Sequence, residues 1–196
     1  MVRHKNYPDD LRERLVAVML QHLRTQDPDD VSLRDLAAEC DTSTNAVYSI
    51  FGSKDALIDE VARVAREDFL RPQFELADDG EPTIEALQAS GALYRAWARA
   101  NPGLYRLMFV GPSGSDYAPR AAMVEPIRRM LHRLQDAGVL APHDADTMAL
   151  SLWATTHGFV MLEMDVWPEG SIDTDALFEA HLSNSVGRIL LPVDVG

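Results

Sequence analysis

The stretch Ser32-Leu33-Arg34-Asp35-Leu36-Ala37-Ala38-Glu39-Cys40-Asp41-Thr42-Ser43-Thr44-Asn45-Ala46-Val47-Tyr48-Ser49-Ile50-Phe51-Gly52-Ser53-Lys54-Asp55-Ala56-Leu57 decides how the chain is read. Ser32 followed three residues later by Asp35 resembles a capping box, which predicts a short helix from Leu33 to Glu39 with Leu33, Leu36 and Ala37 facing inward. Cys40-Asp41-Thr42-Ser43 reads as a tight turn made without glycine, and Asp41 tolerates left-handed geometry better than most residues. A second short helix, Thr44 to Phe51, puts Val47, Ile50 and Phe51 inward and Thr44, Asn45, Tyr48 and Ser49 on the opposite face. Gly52 breaks it, and Ser53 caps a longer helix. Two short helices across a tight turn, preceded by a longer one, have the layout of a helix-turn-helix reader, whose second helix enters the DNA major groove.

The polar face of that second helix suits the task. Asparagine pairs bidentately with adenine, and hydroxyls donate or accept at several bases. A merely solvated helix face is the competing account. Lys54 favours DNA, because a cation in the first turn of a helix opposes the macrodipole at a cost of about 0.3–1 kcal/mol. A phosphate at that helix start would face both the ammonium and free backbone N–H groups. Tyr48 could add its phenolic hydroxyl to the same strand.

Working outward, a helix from Asp10 to Thr25 carries Leu11, Leu15, Val18, Met19 and Leu23 on one side. The helix after Ser53 is expected to stop near Arg71, with Pro72 marking its end. Ala77 to Pro82 is the expected flexible link. Further helices follow over 83–100, 104–109, 119–137, 144–164 and 174–191, giving an all-α chain of eight to ten helices. The expected domains are 1–55, a three-helix DNA-binding unit, and 56–196, a larger helical ligand-binding and dimerisation unit.

Composition bounds the function. The 196 residues are 46% hydrophobic and 25% charged, the balance of a folded soluble domain. A single cysteine, Cys40, excludes an internal disulfide framework and a cysteine-rich zinc site. No apolar run approaches the roughly 20 residues that span a bilayer, and the start lacks a signal-peptide core, so no membrane association and a cytoplasmic location are expected. Eighteen Lys+Arg against 31 Asp+Glu give a net charge of −13, which argues against a non-specific nucleic-acid coat but leaves room for a local DNA-reading surface.

Residues 32–57, with the helix before them, resemble the DNA-binding domain of the TetR family of bacterial transcriptional regulators. The matching features are the Leu36-Ala37 pair, the Tyr-x-x-Phe of Tyr48 to Phe51, and Ser53-Lys54-Asp55-Ala56-Leu57. The chain departs from the family where relatives usually carry Ala-Gly-Val and it has Cys40-Asp41-Thr42. Residues 1–55 also hold 7 Lys+Arg against 10 acids, which implies weak non-specific DNA affinity. Trp153-Ala154-Thr155-Thr156-His157-Gly158 resembles the Trp-x-x-x-His-Gly helix of one C-terminal subfamily. Gly158 inside a helix is expected to mark a close helix crossing.

The resemblance implies a homodimeric, ligand-responsive repressor on a palindromic double-stranded DNA operator, with Arg34, Ser43, Thr44, Asn45, Tyr48, Ser49 and Lys54 as DNA contacts. A small apolar effector is expected among Tyr94, Trp97, Tyr105, Met108, Met123, Met130, Trp153, His157 and Met161, since methionines and aromatics adapt to greasy ligands. Taken one at a time, each of these is more often plain core, and His157 more simply a core histidine bonded to a neighbouring helix. The last two helices are expected to pair with their symmetry mates, the final one through Phe178, Leu182, Val186 and Ile189. No cofactor and no metal are expected: His143-Asp144-Ala145-Asp146 reads as a helix N-cap, and Gly111 to Ser115 is no nucleophile elbow. Arg3-His4-Lys5 reads as a minor-groove arm or a frayed terminus. Two other functions compete: a helical ligand-binding or interaction module that has lost DNA binding, and a small all-helical enzyme, for which no acid, base and nucleophile set converges in the sequence.

Overall fold

The computed structural model describes residues 7–109, 122–142, 144–167 and 170–190, and the side chains of 188–190 are outside that description. The arm at Arg3 to Lys5, the loop from Gly111 to Ser115 and His143 therefore lie outside the described residues. Among the described residues there is no strand, and nine α-helices follow in order. They are α1 (Leu11–His22), α2 (Leu33–Glu39), α3 (Thr44–Phe51), α4 (Lys54–Asp79), α5 (Ile84–Ala100), α6 (Pro102–Phe109), α7 (Glu125–Asp136), α8 (Ala145–Asp165) and α9 (Thr174–Leu190). Short 3-10 turns sit at Pro28–Asp30 and Ala122–Val124.

Local hydrogen bonds set most helix starts. Ser32, Ser43, Ser53 and Thr83 each accept a backbone N–H three residues on, from Asp35, Ala46, Ala56 and Ala86. The Asp144 carboxylate accepts from the Thr147 hydroxyl at 2.6 Å and from the N–H groups of Thr147 and Asp146, which fulfils the N-cap expectation and holds that carboxyl below its ordinary range. Gly52, at φ +83°, ends α3 by leaving right-handed helix space.

The described chain divides into two compact units. The first comprises residues 1–68 and 100–113, so it extends past residue 55 to take in the first part of α4 and all of α6. Leu11, Leu15, Met19, Leu23, Leu36, Val47, Leu57 and Tyr105 are buried in it. On α1, Val16 is buried as well, while Val18, placed inward by the sequence pattern, is half-buried. The Gly103 N–H donates to the Arg24 carbonyl at 2.8 Å, and a Cβ there would collide with the Leu23 carbonyl oxygen. Only glycine lets α6 approach the end of α1 this closely.

The second unit comprises residues 69–99 and 114–196. α7 packs on α8, and α8 on α9. Its core holds Leu87, Met130, Leu131, Leu134, Ala149, Leu152 and Val186. Two expectations are corrected here. Pro72 does not end α4, which continues to Asp79. A mid-helix proline costs about 3 kcal/mol, but Phe69, Leu70, Gln73 and Ala77 are all buried, and their packing outweighs it. Gly158 marks no close crossing within the chain, since a Cβ there meets nothing within 4 Å among the described residues.

α5, α8 and α9 are joined by one ionic clasp. The Arg95 guanidinium donates to both carboxylate oxygens of Glu163, at 2.8 and 2.5 Å, and to the Thr174 hydroxyl at 3.2 Å. It also lies 2.7 Å from the Asp175 carboxylate and over the Phe178 ring. Burial opposes ionisation of Glu163, yet its bonds to Arg95 and Thr174 prevail and hold its carboxyl below the ordinary range.

Removing one member of such a buried pair leaves an unpaired charge. Arg95→Ala should therefore lower stability by about 3 kcal/mol, and the double replacement Arg95→Met with Glu163→Leu should recover most of it, as denaturant midpoints will show. Because the folded Glu163 carboxyl titrates below its unfolded value, its contribution is present above about pH 4.3 and disappears as pH falls through the folded value. Glu163→Gln should flatten the loss of stability over that acid window.

Candidate functional site

The helix-turn-helix is built from the turn outward. Asp41 stands at φ +51°, the left-handed conformation expected of it, and lets the Thr42 N–H reach back to the Ala37 carbonyl at 2.9 Å. Cys40 is buried beneath this turn, and burial pushes its thiol up from the ordinary value. Ala46 and Val47 are buried on the inner side of α3, with Ile50 and Phe51 half-buried beside them. What remains outward is polar. Asn45, Tyr48 and Ser49 are exposed at helical spacing, Tyr48 by 50%.

Ser43 is exposed at the head of α3 while its Oγ accepts the cap bond, and Thr44 is half-buried. Arg34 is exposed on α2, and Lys54 is half-buried in the first turn of α4. The fold thus brings Thr44, Asn45, Tyr48 and Ser49 onto one helix surface and supplies Arg34 and Lys54 from the two neighbouring helices.

Arg12 is a residue that the sequence patterns do not single out. From α1 its guanidinium donates to the Ile50 carbonyl at 3.3 Å, lies 4.6 Å over the Phe51 ring and pairs with Glu60 at 3.9 Å. It fixes the C-terminal end of α3 from behind. His22 Nε2 meets Glu39 Oε1 at 2.9 Å and ties α1 to α2 in the same way. No pattern local to α3 signals either contact, because both partners lie far away in sequence.

The same unit carries an acidic groove of about 530 Å³, with Asp27, Asp29, Asp30, Asp55 and Asp59 in its walls beside Ile58 and Leu107. Arg106 also lines it, but with five carboxylates in its walls the groove does not present phosphate with a basic field.

In the second unit a small internal cavity of about 30 Å³, the scale of a water or two, is walled by α4, α5, α7, α8 and α9. Of the expected ligand residues, Tyr94, Met123 and Trp153 line it. His157 stands behind this wall, its Nδ1 2.9 Å from the Tyr94 hydroxyl and its ring stacked on Trp153, and burial pushes the imidazole below its ordinary value. Trp97 packs edge-on against Phe69 at 5.2 Å, Met130 belongs to the core, and Met161 is half-buried on α8. Tyr105 and Met108 belong to the other unit, where both are buried. The cavity also has a polar pair that sequence patterns do not announce: Ser90 Oγ donates to Gln73 Oε1 at 2.6 Å, and Gln73 Nε2 donates to the Ser90 carbonyl at 3.2 Å. A glutamine one position after Pro72 carries no local sign of burial. Among the described residues no helix is long and apolar enough to cross a membrane, and no group of three potential ligands could hold a metal.

Residues 18–61 match the model for bacterial regulatory proteins of the tetR family, and residues 87–184 match that for the tetracyclin repressor-like C-terminal domain. The uncharacterized HTH-type transcriptional regulator Rv0681 of Mycobacterium tuberculosis is 27% identical over 167 residues, covering 85% of this chain and 76% of that one. Among solved structures, a protein of unknown function from Rhodococcus sp. RHA1 is 25% identical with a TM-score of 0.76, covering 97% of this chain and 100% of that one. SmeT, the repressor of the Stenotrophomonas maltophilia multidrug efflux pump SmeDEF, shares the fold at 18% identity and a TM-score of 0.71, covering 94% of this chain and 95% of that one. With a helix-turn-helix at its head and the family's C-terminal domain over half its length, the chain belongs to the TetR family of DNA-binding transcriptional regulators.

Proposed function

We propose that this regulator is a repressor that binds a palindromic operator as a homodimer and is released by a small apolar molecule held in the second unit. The observation that carries the reading is the outward face of α3, where Asn45, Tyr48 and Ser49 are exposed on a helix whose other side is anchored by Ala46, Val47 and the Arg12 contacts. In this reading Tyr48 and Lys54 hold the phosphate backbone, Arg34 and Ser43 flank it, and Thr44, Asn45 and Ser49 face bases.

Dimerisation through α8 and α9 is supported by what these helices leave uncovered. Leu150, Ala154, Gly158 and Leu162 recur every fourth residue on α8: both leucines are exposed, and a Cβ on Gly158 has open space. On α9 the uncovered face is Leu177, Ala180, Asn184 and Gly187. This replaces the expected stripe, because Phe178 and Val186 are buried within the protomer and Leu182 packs against Gly91. The side chain of Ile189 lies outside the described residues. Small residues between leucines let two helices approach closely across a two-fold axis. That symmetry would set the two α3 helices about 34–36 Å apart, or a multiple of it, on the operator.

Release follows from linkage. α4 begins at the proposed phosphate contact and contributes Phe69 and Gln73 to the cavity wall, so a guest that shifts its later turns biases its start. Effector and operator would each weaken the other by the same factor, typically worth about 1–3 kcal/mol.

Two measurements test this reading. The double variant Lys54→Ala, Tyr48→Phe should weaken binding on every sequence alike and reduce the salt slope by about 1 for each phosphate it no longer holds, whereas Asn45→Ala should relax preference at one base position. Unchanged operator affinity in the double variant contradicts the assignment. In the ultracentrifuge the wild type should sediment as a dimer at micromolar concentration, and Gly158→Trp should be a monomer of unchanged helicity; a monomeric wild type contradicts the two-fold operator.

A further inference from the structure

The cavity in the second unit has a chemical character beyond being apolar. Its wall comprises Phe69, Leu87, Met123, Ile127, Leu152, Trp153 and Val186 with Gln73, Ser90, Tyr94, Thr156 and Ser185, and not one of its described residues carries a formal charge. The unit does contain cations, but each described arginine in α5 and α7 is engaged elsewhere. Arg95 is clasped by Glu163 and Asp175, and Arg99 pairs with Asp175. Arg128 and Arg129 pair with Glu125 and with Asp146 and Asp78 respectively. Arg133 donates to the carbonyls of Ala77 and Gly80, at the end of α4. Burial pushes the imidazole behind Tyr94 below its ordinary value, which disfavours its charged form.

Among the described lining residues, a carboxylate entering this space would meet no counter-ion, and neither would an ammonium. Burying either unpaired is strongly unfavourable, whereas a neutral polar group needs only a hydrogen bond. The Gln73–Ser90 pair supplies one. With Nε2 bonded once to the Ser90 carbonyl and Oε1 to the Ser90 hydroxyl, the amide keeps a second N–H to donate, and the Ser90 oxygen keeps lone pairs to accept.

Entry also has a visible obstacle. Leu182 occupies the niche left by the missing side chain of Gly91, where a Cβ would lie 2.5 Å from Leu182 Cδ2. Both residues line the cavity, so rotation of this one leucine enlarges it.

We infer that the cavity takes an uncharged guest, an apolar chain or ring carrying one neutral hydrogen-bonding head seated on Gln73 and Ser90, and that Leu182 is the side chain displaced to admit it. This inference rests on the proposed effector site and narrows the class of effector it accepts: alcohols, ketones, esters or amides, and not fatty-acid anions or cationic amines.

Three chain-matched probes test it by calorimetry on the full-length protein at neutral pH: 1-octanol, octanoate and octylammonium. 1-Octanol should bind saturably, with octanoate and octylammonium weaker by about tenfold or more. Leu182→Ala should tighten 1-octanol, and Gln73→Leu should weaken 1-octanol while leaving toluene unchanged. Octanoate or octylammonium binding as tightly as 1-octanol overturns the uncharged class and leaves the effector site standing. Equal 1-octanol affinity in Gln73→Leu overturns the seat of the polar head. Failure of every probe on both the wild type and Leu182→Ala overturns the effector site itself, and this inference with it.

Discussion

Everything proposed for this regulator depends on the continuity of α4. The helix runs from Lys54 to Asp79 through Pro72, with its first fifteen residues in the helix-turn-helix unit and its remainder in the second. Its ends are held by different chemistry. Ser53 caps the start through the Ala56 N–H, and the Arg133 guanidinium covers carbonyls at the finish. Between them, Leu57, Val61 and Ala65 are buried in the first unit and Phe69, Gln73 and Ala77 in the second. On the proposed reading, a site that touches its later turns and a site at its first turn share one continuous helix and need no chain of intermediates.

A chain of net charge −13 is an unusual partner for DNA, and the fold accounts for how it can be one. Acidic groups gather in a groove formed around the Pro28–Asp30 turn, α4 and α6, while the exposed face of α3 carries hydroxyls, an amide and a phenol with no carboxylate among them. On the proposed reading, affinity comes from groove contacts and a few phosphate bonds. Such an interface is poor at holding arbitrary sequence and loses little when the wrong sequence is refused.

The helix-turn-helix was legible because its signals are local. Ser32, Ser43 and Ser53 cap the helices they precede, Asp41 adopts the left-handed turn, and Gly52 stops α3. Where packing decides, the sequence misled. Pro72 reads as a stop, yet burial on both sides of it carries α4 onward. Phe178, Leu182 and Val186 form an apolar stripe that looks free for a partner, yet they serve the protomer's own interior, and the uncovered face is the less apolar Leu177, Ala180, Asn184 and Gly187. Periodicity says that a residue is inward, not which interior it enters, which is why Tyr105 and Met108 were grouped with Tyr94 although they belong to another unit. Gln73 and Ser90, polar and 17 positions apart, become a site only once α4 and α5 are side by side.

On the proposed reading, α3 recognises a defined, two-fold symmetric sequence despite the chain's acidity. Selection of the purified protein against a random-sequence duplex library, followed by titration of the winning duplex over a range of salt, tests it most directly. One inverted repeat should be enriched, with the logarithm of affinity for it falling linearly as the logarithm of salt concentration rises. A selected pool with no shared sequence, or binding equal on the winning and scrambled duplexes, would contradict it.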